Sequence, residues 1–86
     1  MPSQEDVRTL NRAFGLVVRQ RRTGMRMSQE KFGFESDYDR SYISDIERGV
    51  RNPTLATIYR LADALGTHPS SLLRSAEALV KKGKAG

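Results

Sequence analysis

Arg40, Ser41, Ser44 and Asp45 recur at a spacing that gathers them on one face of a helix, while Ile43 and Ile46 take the other. Guanidinium, hydroxyl and carboxylate groups held on a rigid face suit hydrogen bonding to the base edges of a DNA major groove. Arg40 stands near the start of that helix, where its fork can bond guanine O6 and N7 together; a phosphate is the rival partner. Ser41 and Ser44 can each bond a base, a phosphate or their own backbone. Asp45 either accepts from a cytosine amino group, orients Arg40 or a neighbouring arginine, or pairs with Arg48. Tyr42 divides between a ring packed beside the face with its hydroxyl on a phosphate, and a partly buried core position.

Groups that would position the chain on a phosphate backbone flank this face. Gln29 lies in the first turn of a preceding helix, where its amide and the helix's own N–H groups favour a phosphate, and Ser28 before it is the cap. Arg51 and Asn52 follow the second helix, although Asn52 before Pro53 also fits simple turn chemistry. Arg26 and Lys31 add positive charge nearby, as backbone contacts or as solvated charges.

Catalysis finds no comparable anchor. The single histidine, His68, is placed as a helix cap, and there is no cysteine, no His-rich cluster at metal-ligand spacing, no Ser/His/Asp motif and no glycine-rich phosphate loop. No enzyme activity, cofactor or metal is expected. No small-molecule effector pocket is evident either.

The elements that must hold these groups are helices. Ser28 caps the first of a tight pair, Phe32 is its inward anchor, and Gly33 omits the side chain that would keep the second helix away. Asp37 occupies a turn position calling for left-handed backbone, which Gly adopts best and Asp tolerates. Asp39 is expected to cap Arg40 to Arg48, Arg48 favours the negative helix end, and Gly49 supplies the stop. The stretch from about residue 28 to 48 therefore reads as a helix-turn-helix.

Three more helices complete the reading. Ser3 and Asp6 offer a capping-box start to a first helix along which Val7, Leu10, Phe14, Val17 and Val18 recur at helical spacing, ending near Thr23 or Gly24. Pro53 and Thr54 mark the fourth, with an apolar stripe of Leu55, Ile58, Leu61, Ala62 and Leu65 closed by Gly66. The fifth begins near Pro69, capped by His68 or Thr67, and runs to about residue 80 before 81–86, with Lys81, Lys82 and Lys84, frays into a flexible basic tail. The expected fold class is all-α, a compact five-helix domain over residues 1–86. On the fifth helix Leu72, Leu73, Ala76, Leu79 and Val80 form an apolar arc wider than one small core needs, which implies a second buried surface.

Composition agrees. Eighty-six residues with 37% apolar content support one small core near the lower limit of comfortable stability, which dimerisation would help. Fifteen basic against 10 acidic residues give a net charge of +5, which makes a polyanion such as nucleic acid a reasonable partner. No apolar signal core or membrane-length run is present, so the default location is the cytoplasm.

From Phe14 to Leu73 the chain resembles the lambdoid-repressor-like, or XRE-type, transcriptional regulators of bacteria and phages. The resemblance is carried by Arg19 and Arg22, by MSQEKF at 27–32, SYISDIERG at 41–49 and RNPTLATIYRLADALG at 51–66, and by Leu72 with Leu73. FES followed by DYDRSYIS looks most like the small controller proteins of restriction-modification systems, which implies an autoregulating dimer. Three positions depart from the family pattern: Gly33 where Ala is usual, Asp37 where Gly is usual, and Arg26 where Gly is common. The resemblance implies that Arg22 and Glu47 pair across the base of the motif, and that Arg51 and Asn52 touch the DNA backbone. It also implies a twofold homodimer on a pseudo-palindromic operator, its recognition helices about 34 Å apart. RNA polymerase is the further partner that activation would require. An antitoxin or a transcriptional adaptor, using the same fold mainly to bind a protein, is the alternative.

Overall fold

The computed structural model describes residues 1–85, with side chains through residue 83. Its architecture is all-α: α1 (Gln4–Gly24), α2 (Gln29–Ser36), α3 (Arg40–Arg48), α4 (Leu55–Ala64) and α5 (Pro69–Ala85). The long α1 is the spine against which α3 and α5 pack, while α2 bridges α3 and α4. Ser3 and Asp6 form the reciprocal capping box that starts α1, and Ser28 and Thr54 cap α2 and α4 through their hydroxyls.

Phe14, Val17 and Val18 of α1, Phe32 of α2, Ile43 and Ile46 of α3, Leu61 of α4 and Leu72 of α5 make one continuous core. Full burial of a side chain such as Phe32 stabilises the fold by about 1.5–3 kcal/mol. A glycine sets how closely α1 approaches α3. A Cβ on Gly15 would run into the carbonyl oxygens of Ile46 and Glu47, so α1 lies directly on the end of α3. Gly33 has the same role towards the Tyr38 carbonyl, which is why the α2–α3 turn closes so tightly.

The first four helices end alike, in a Schellman motif. The residue after the turn donates to the carbonyl five places back: Met27 to Arg22 (3.2 Å), Tyr38 to Gly33 (2.8 Å), Val50 to Asp45 (3.1 Å) and Thr67 to Ala62 (2.9 Å). Each motif needs one left-handed residue, and the four are Arg26 (φ 58°), Asp37 (φ 65°), Gly49 (φ 76°) and Gly66 (φ 66°). Arg26 and Asp37, two of the departures from the family pattern, thus adopt the backbone that glycine favours.

Four expectations need correction. Leu55 is 84% exposed, because the first residue of α4 projects past the edge of the core. Asp39 has the extended backbone of an N-cap, and its carbonyl accepts from Ile43 at 3.1 Å, but its exposed carboxylate makes no capping bond. The fifth helix does not stop at residue 80: Leu79 and Val80 pack against the core and carry it to Ala85, with Lys81 and Lys82 helical. The rest of the expected tail, Gly86 and the Lys84 side chain, lies outside what the structure describes. Leu72 and Ala76, expected at a dimer interface, are fully buried within the protomer's own core, because consecutive positions on a helix face different ways and Leu72 takes the inward one. Leu73 is 39% exposed, and Leu79 and Val80 are half-buried.

Candidate nucleic-acid interface

The α3 backbone sorts its side chains cleanly. Ile43 and Ile46 are buried, Arg40 and Ser41 are exposed, and Ser44 and Asp45 are half-buried on the outward side. One rigid element therefore offers a guanidinium, two hydroxyls and a carboxylate to a partner, with its other face fixed in the core.

Beneath this face lies a buried ion pair. Arg22 donates from Nε to Glu47 Oε2 at 2.6 Å, from Nη2 to Oε1 at 3.1 Å, and from Nη1 to the Met27 carbonyl at 2.7 Å. The two side chains are only 11% and 3% exposed, so α1, the α1–α2 turn and α3 are joined where water cannot substitute. Gln29 extends the chain outward. Its Nε2 donates to Glu47 Oε1 at 3.0 Å, and its Oε1 accepts from Arg40 Nη1 at 3.4 Å. Arg40 is thus tied through Gln29 to the buried Arg22–Glu47 pair, and the Gln29 amide faces these two partners.

At the other end of α3, Asp45 is a hub for two arginines. Its Oδ1 accepts from Arg48 Nη2 at 2.5 Å and its Oδ2 from Arg51 Nε at 3.1 Å. The hydrogen bond from Arg51 is the largest of the effects that hold the Asp45 carboxyl below its ordinary range; Arg48 adds to it and partial burial opposes it. Of the three roles open to Asp45 from sequence, the structure displays the orientation of neighbouring arginines together with the Arg48 pair.

Of the two positions open to Tyr42 from sequence, the structure shows the partly buried one, packed against the core. Its hydroxyl lies 3.1 Å from Thr57 Oγ1, its ring stacks on Tyr38 at 4.8 Å, and the Arg51 guanidinium sits 5.3 Å above that ring. The Thr57 oxygen, which is buried, also receives the Tyr38 hydroxyl at 3.1 Å and meets Thr54 Oγ1 at 3.0 Å. One donor and two acceptor sites meet three partners, so the hydroxyl is saturated. Tyr42 therefore joins α3 to α4 and forms a platform beneath Arg51.

The flanking groups are dispersed more widely. Arg51 and Asn52 are exposed in the loop after α3, and the Asn52 side-chain Oδ1 accepts from the Asn11 Nδ2 amide on α1. Arg26 is exposed at its left-handed turn, and Lys31 is exposed with Glu35 3.8 Å away. Gly15, Thr57, Asn11, Arg8 and Arg12 carry no local sequence pattern, and each acquires its role only when helices meet. Among the described residues no group of His, Cys, Asp and Glu could hold a metal, and no helix is long and apolar enough to cross a membrane.

A helix-turn-helix family model matches residues 18–72, from the middle of α1 into α5. The chain belongs to the helix-turn-helix family. Its family is one of DNA-binding transcriptional regulators and not of enzymes. Control protein C.BamHI of Bacillus amyloliquefaciens is 54% identical over 61 residues, covering 70% of this chain and 75% of that one. Among solved structures, the restriction-modification controller protein C.AhdI from Aeromonas hydrophila is 44% identical, with a TM-score of 0.70 over 71% of this chain and 92% of that one. The Clp gene regulator ClgR of Corynebacterium glutamicum, at 22% identity, shares the fold, with a TM-score of 0.84 over 88% and 81% of the two chains. The resemblance to the XRE-type and controller proteins drawn from sequence is the grouping these relatives give.

Proposed function

We propose that this helix-turn-helix regulator works as a controller protein of a restriction-modification system, binding as a homodimer to a pseudo-palindromic operator upstream of its own gene. The tie from Arg40 through Gln29 to the buried Arg22–Glu47 pair carries this reading. It holds a guanine-reading group in place before DNA arrives, so less side-chain entropy is lost on binding. Ser41 and Ser44 read or brace beside Arg40, while Arg51, Asn52, Arg26, Lys31 and the α2 N-terminus set the register on phosphates. Gln29 buttresses Arg40 rather than serving the backbone alone.

Two copies meet through apolar side chains left outside the core, Leu73 of α5 beside Leu10 of α1, with Leu79 and Val80 at the margin. Twofold pairing sets the recognition helices one DNA turn apart, about 34 Å. Occupancy of such an operator is enough to exclude RNA polymerase, and recruitment of polymerase would make the same protein an activator. The protein acts inside the bacterial cell, on the nucleoid. Hydroxyl-radical footprinting of DNA upstream of its gene tests the arrangement. Two protected half-sites, centred one turn apart and lost together on dilution, are expected; a single half-site protected at every concentration would overturn it.

A further inference from the structure

We propose that a cleft between the first half of α1 and the α3–α4 loop is a second phosphate-binding site, occupied by DNA backbone beyond the bases that α3 reads. This deepens the DNA-binding reading and rests on it. The cleft has a volume of about 370 Å³, and four arginines line it: Arg8 and Arg12 on α1, Arg48 at the end of α3, and Arg51 in the loop. No carboxylate lines it.

Arg8 and Arg12 are one helical turn apart, so they share a face of α1 and rise along it by about 6 Å. Gly49 brings that face against the loop. A Cβ there would collide with the Arg12 backbone, and the Asn11 amide bonds Asn52 across the gap. The fold places four arginines around one cleft, and the positive charge they bring is answered only in part. Asp45, outside the cleft, binds Arg48 and Arg51, and Glu5 lies 3.9 Å from Arg8 in an exposed pair. Arg12 makes no ion pair among the described residues.

A phosphate supplies the missing charge. The occupant is DNA because Arg51 and Asn52 belong both to this cleft and to the loop leaving the recognition helix, so a strand held by that loop continues into it. Arg8 and Arg12 lie on α1 ahead of residue 18, where the family match begins.

The experiment is the salt dependence of binding to two duplexes, one from upstream of the gene and one scrambled, for wild type, Arg8→Gln, and the Arg8→Gln/Arg12→Gln pair. Loss of two phosphate contacts lowers the slope of log affinity against log salt by about 1.8. Between about 50 and 200 mM salt, wild-type affinity then falls about twelvefold more than that of the double variant, on both duplexes, with the preference between them kept. The single variant takes half of that change in slope. Lys81→Gln/Lys82→Gln, on α5 and outside the cleft, leaves the slope as it is. An unchanged slope in folded Arg8→Gln and in the double variant overturns the cleft while DNA recognition stands; wild type bound to neither duplex overturns the recognition reading itself. Inorganic phosphate titrated into the DNA-free protein separates free anion from backbone. Saturable micromolar shifts of the Asn11 and Asn52 side-chain amides would contradict the DNA assignment, and weak, unsaturable shifts agree with it.

Discussion

Asp45 Oδ2 accepts from Arg51 Nε at 3.1 Å while its Oδ1 binds Arg48, so one carboxylate on α3 holds two cations of the proposed DNA-binding surface. With Nε engaged and the guanidinium over the Tyr42 ring, Arg51 keeps its terminal nitrogens for a phosphate. Asp45→Asn raises the net charge from +5 to +6, which on charge alone should tighten DNA binding. The expected result is the opposite, a loss on the order of tenfold in affinity as both arginines must be re-ordered on the DNA. Anisotropy titrations decide it, and tighter binding by the variant would refute the positioning role.

The same hub has a pH signature. The Asp45 carboxyl is held below its ordinary range in the folded chain, so its contribution to stability is fully present above the unfolded-state value of about 3.9. It is lost as pH falls through the lowered folded value, not near neutrality. Between pH 5 and 8 the Asp45→Asn and wild-type melting curves should therefore keep a constant separation, which calorimetry at several pH values in that range would check.

Removing Glu47 tests the buried pair. Glu47→Ala leaves Arg22 charged, nearly enclosed and short of two of its three hydrogen bonds, at a cost of about 3–5 kcal/mol. For a domain of this size that lowers the melting midpoint by more than about 10 °C, and DNA affinity falls with it because Gln29 loses its anchor. A melting curve like that of wild type would show the pair to be structurally idle.

The two left-handed residues that are not glycine make a graded pair. Left-handed backbone disfavours an ordinary side chain by about 1–2 kcal/mol, while glycine's own entropic penalty is about 0.5–1 kcal/mol. Arg26→Gly should then stabilise the fold by about 0.5–1 kcal/mol, and Asp37→Gly by less, since Asp tolerates this region. Thermal unfolding of the two variants provides the ranking, and a lower midpoint for Arg26→Gly would contradict it.

Neighbouring leucines on α5 separate core from the proposed dimer interface. Leu72→Ala opens a cavity in a fully buried site and should destabilise by about 2–5 kcal/mol without altering the association state. Leu73→Glu places a charge on the exposed apolar patch and should yield a folded monomer with an unchanged DNA-free melting curve at low concentration. Sedimentation velocity reads the difference; a Leu73→Glu dimer would move the interface elsewhere.

Much of the motif was legible because its signals are local. Phe32, Ile43 and Ile46 repeat at helical spacing, Ser28 and Thr54 are caps, and Gly49 ends α3 where its left-handed turn requires. Even the left-handed role of Asp37 follows from the residue type that turn needs. What stayed hidden depends on pairs far apart in the chain. Nothing beside Gly15 announces that carbonyls at 46 and 47 will press on it, and nothing near Thr57 announces two tyrosine hydroxyls. Leu72 and Leu73 look alike in sequence, and only the packing of α5 on α1 decides which of them is core. The cleft of arginines forms only because Gly49 lets Arg12 approach the loop.

Fluorescence anisotropy of the protein against DNA from upstream of its own gene and against a scrambled duplex, at two salt concentrations, with wild type beside Arg40→Ala, tests whether α3 reads bases. Phosphate attraction weakens with salt, whereas base reading keeps its preference. A preference of at least about a thousandfold for the upstream duplex is expected to survive the higher salt in wild type and to collapse in Arg40→Ala. Equal binding of both duplexes by wild type, weakening steeply and together with salt, would contradict it.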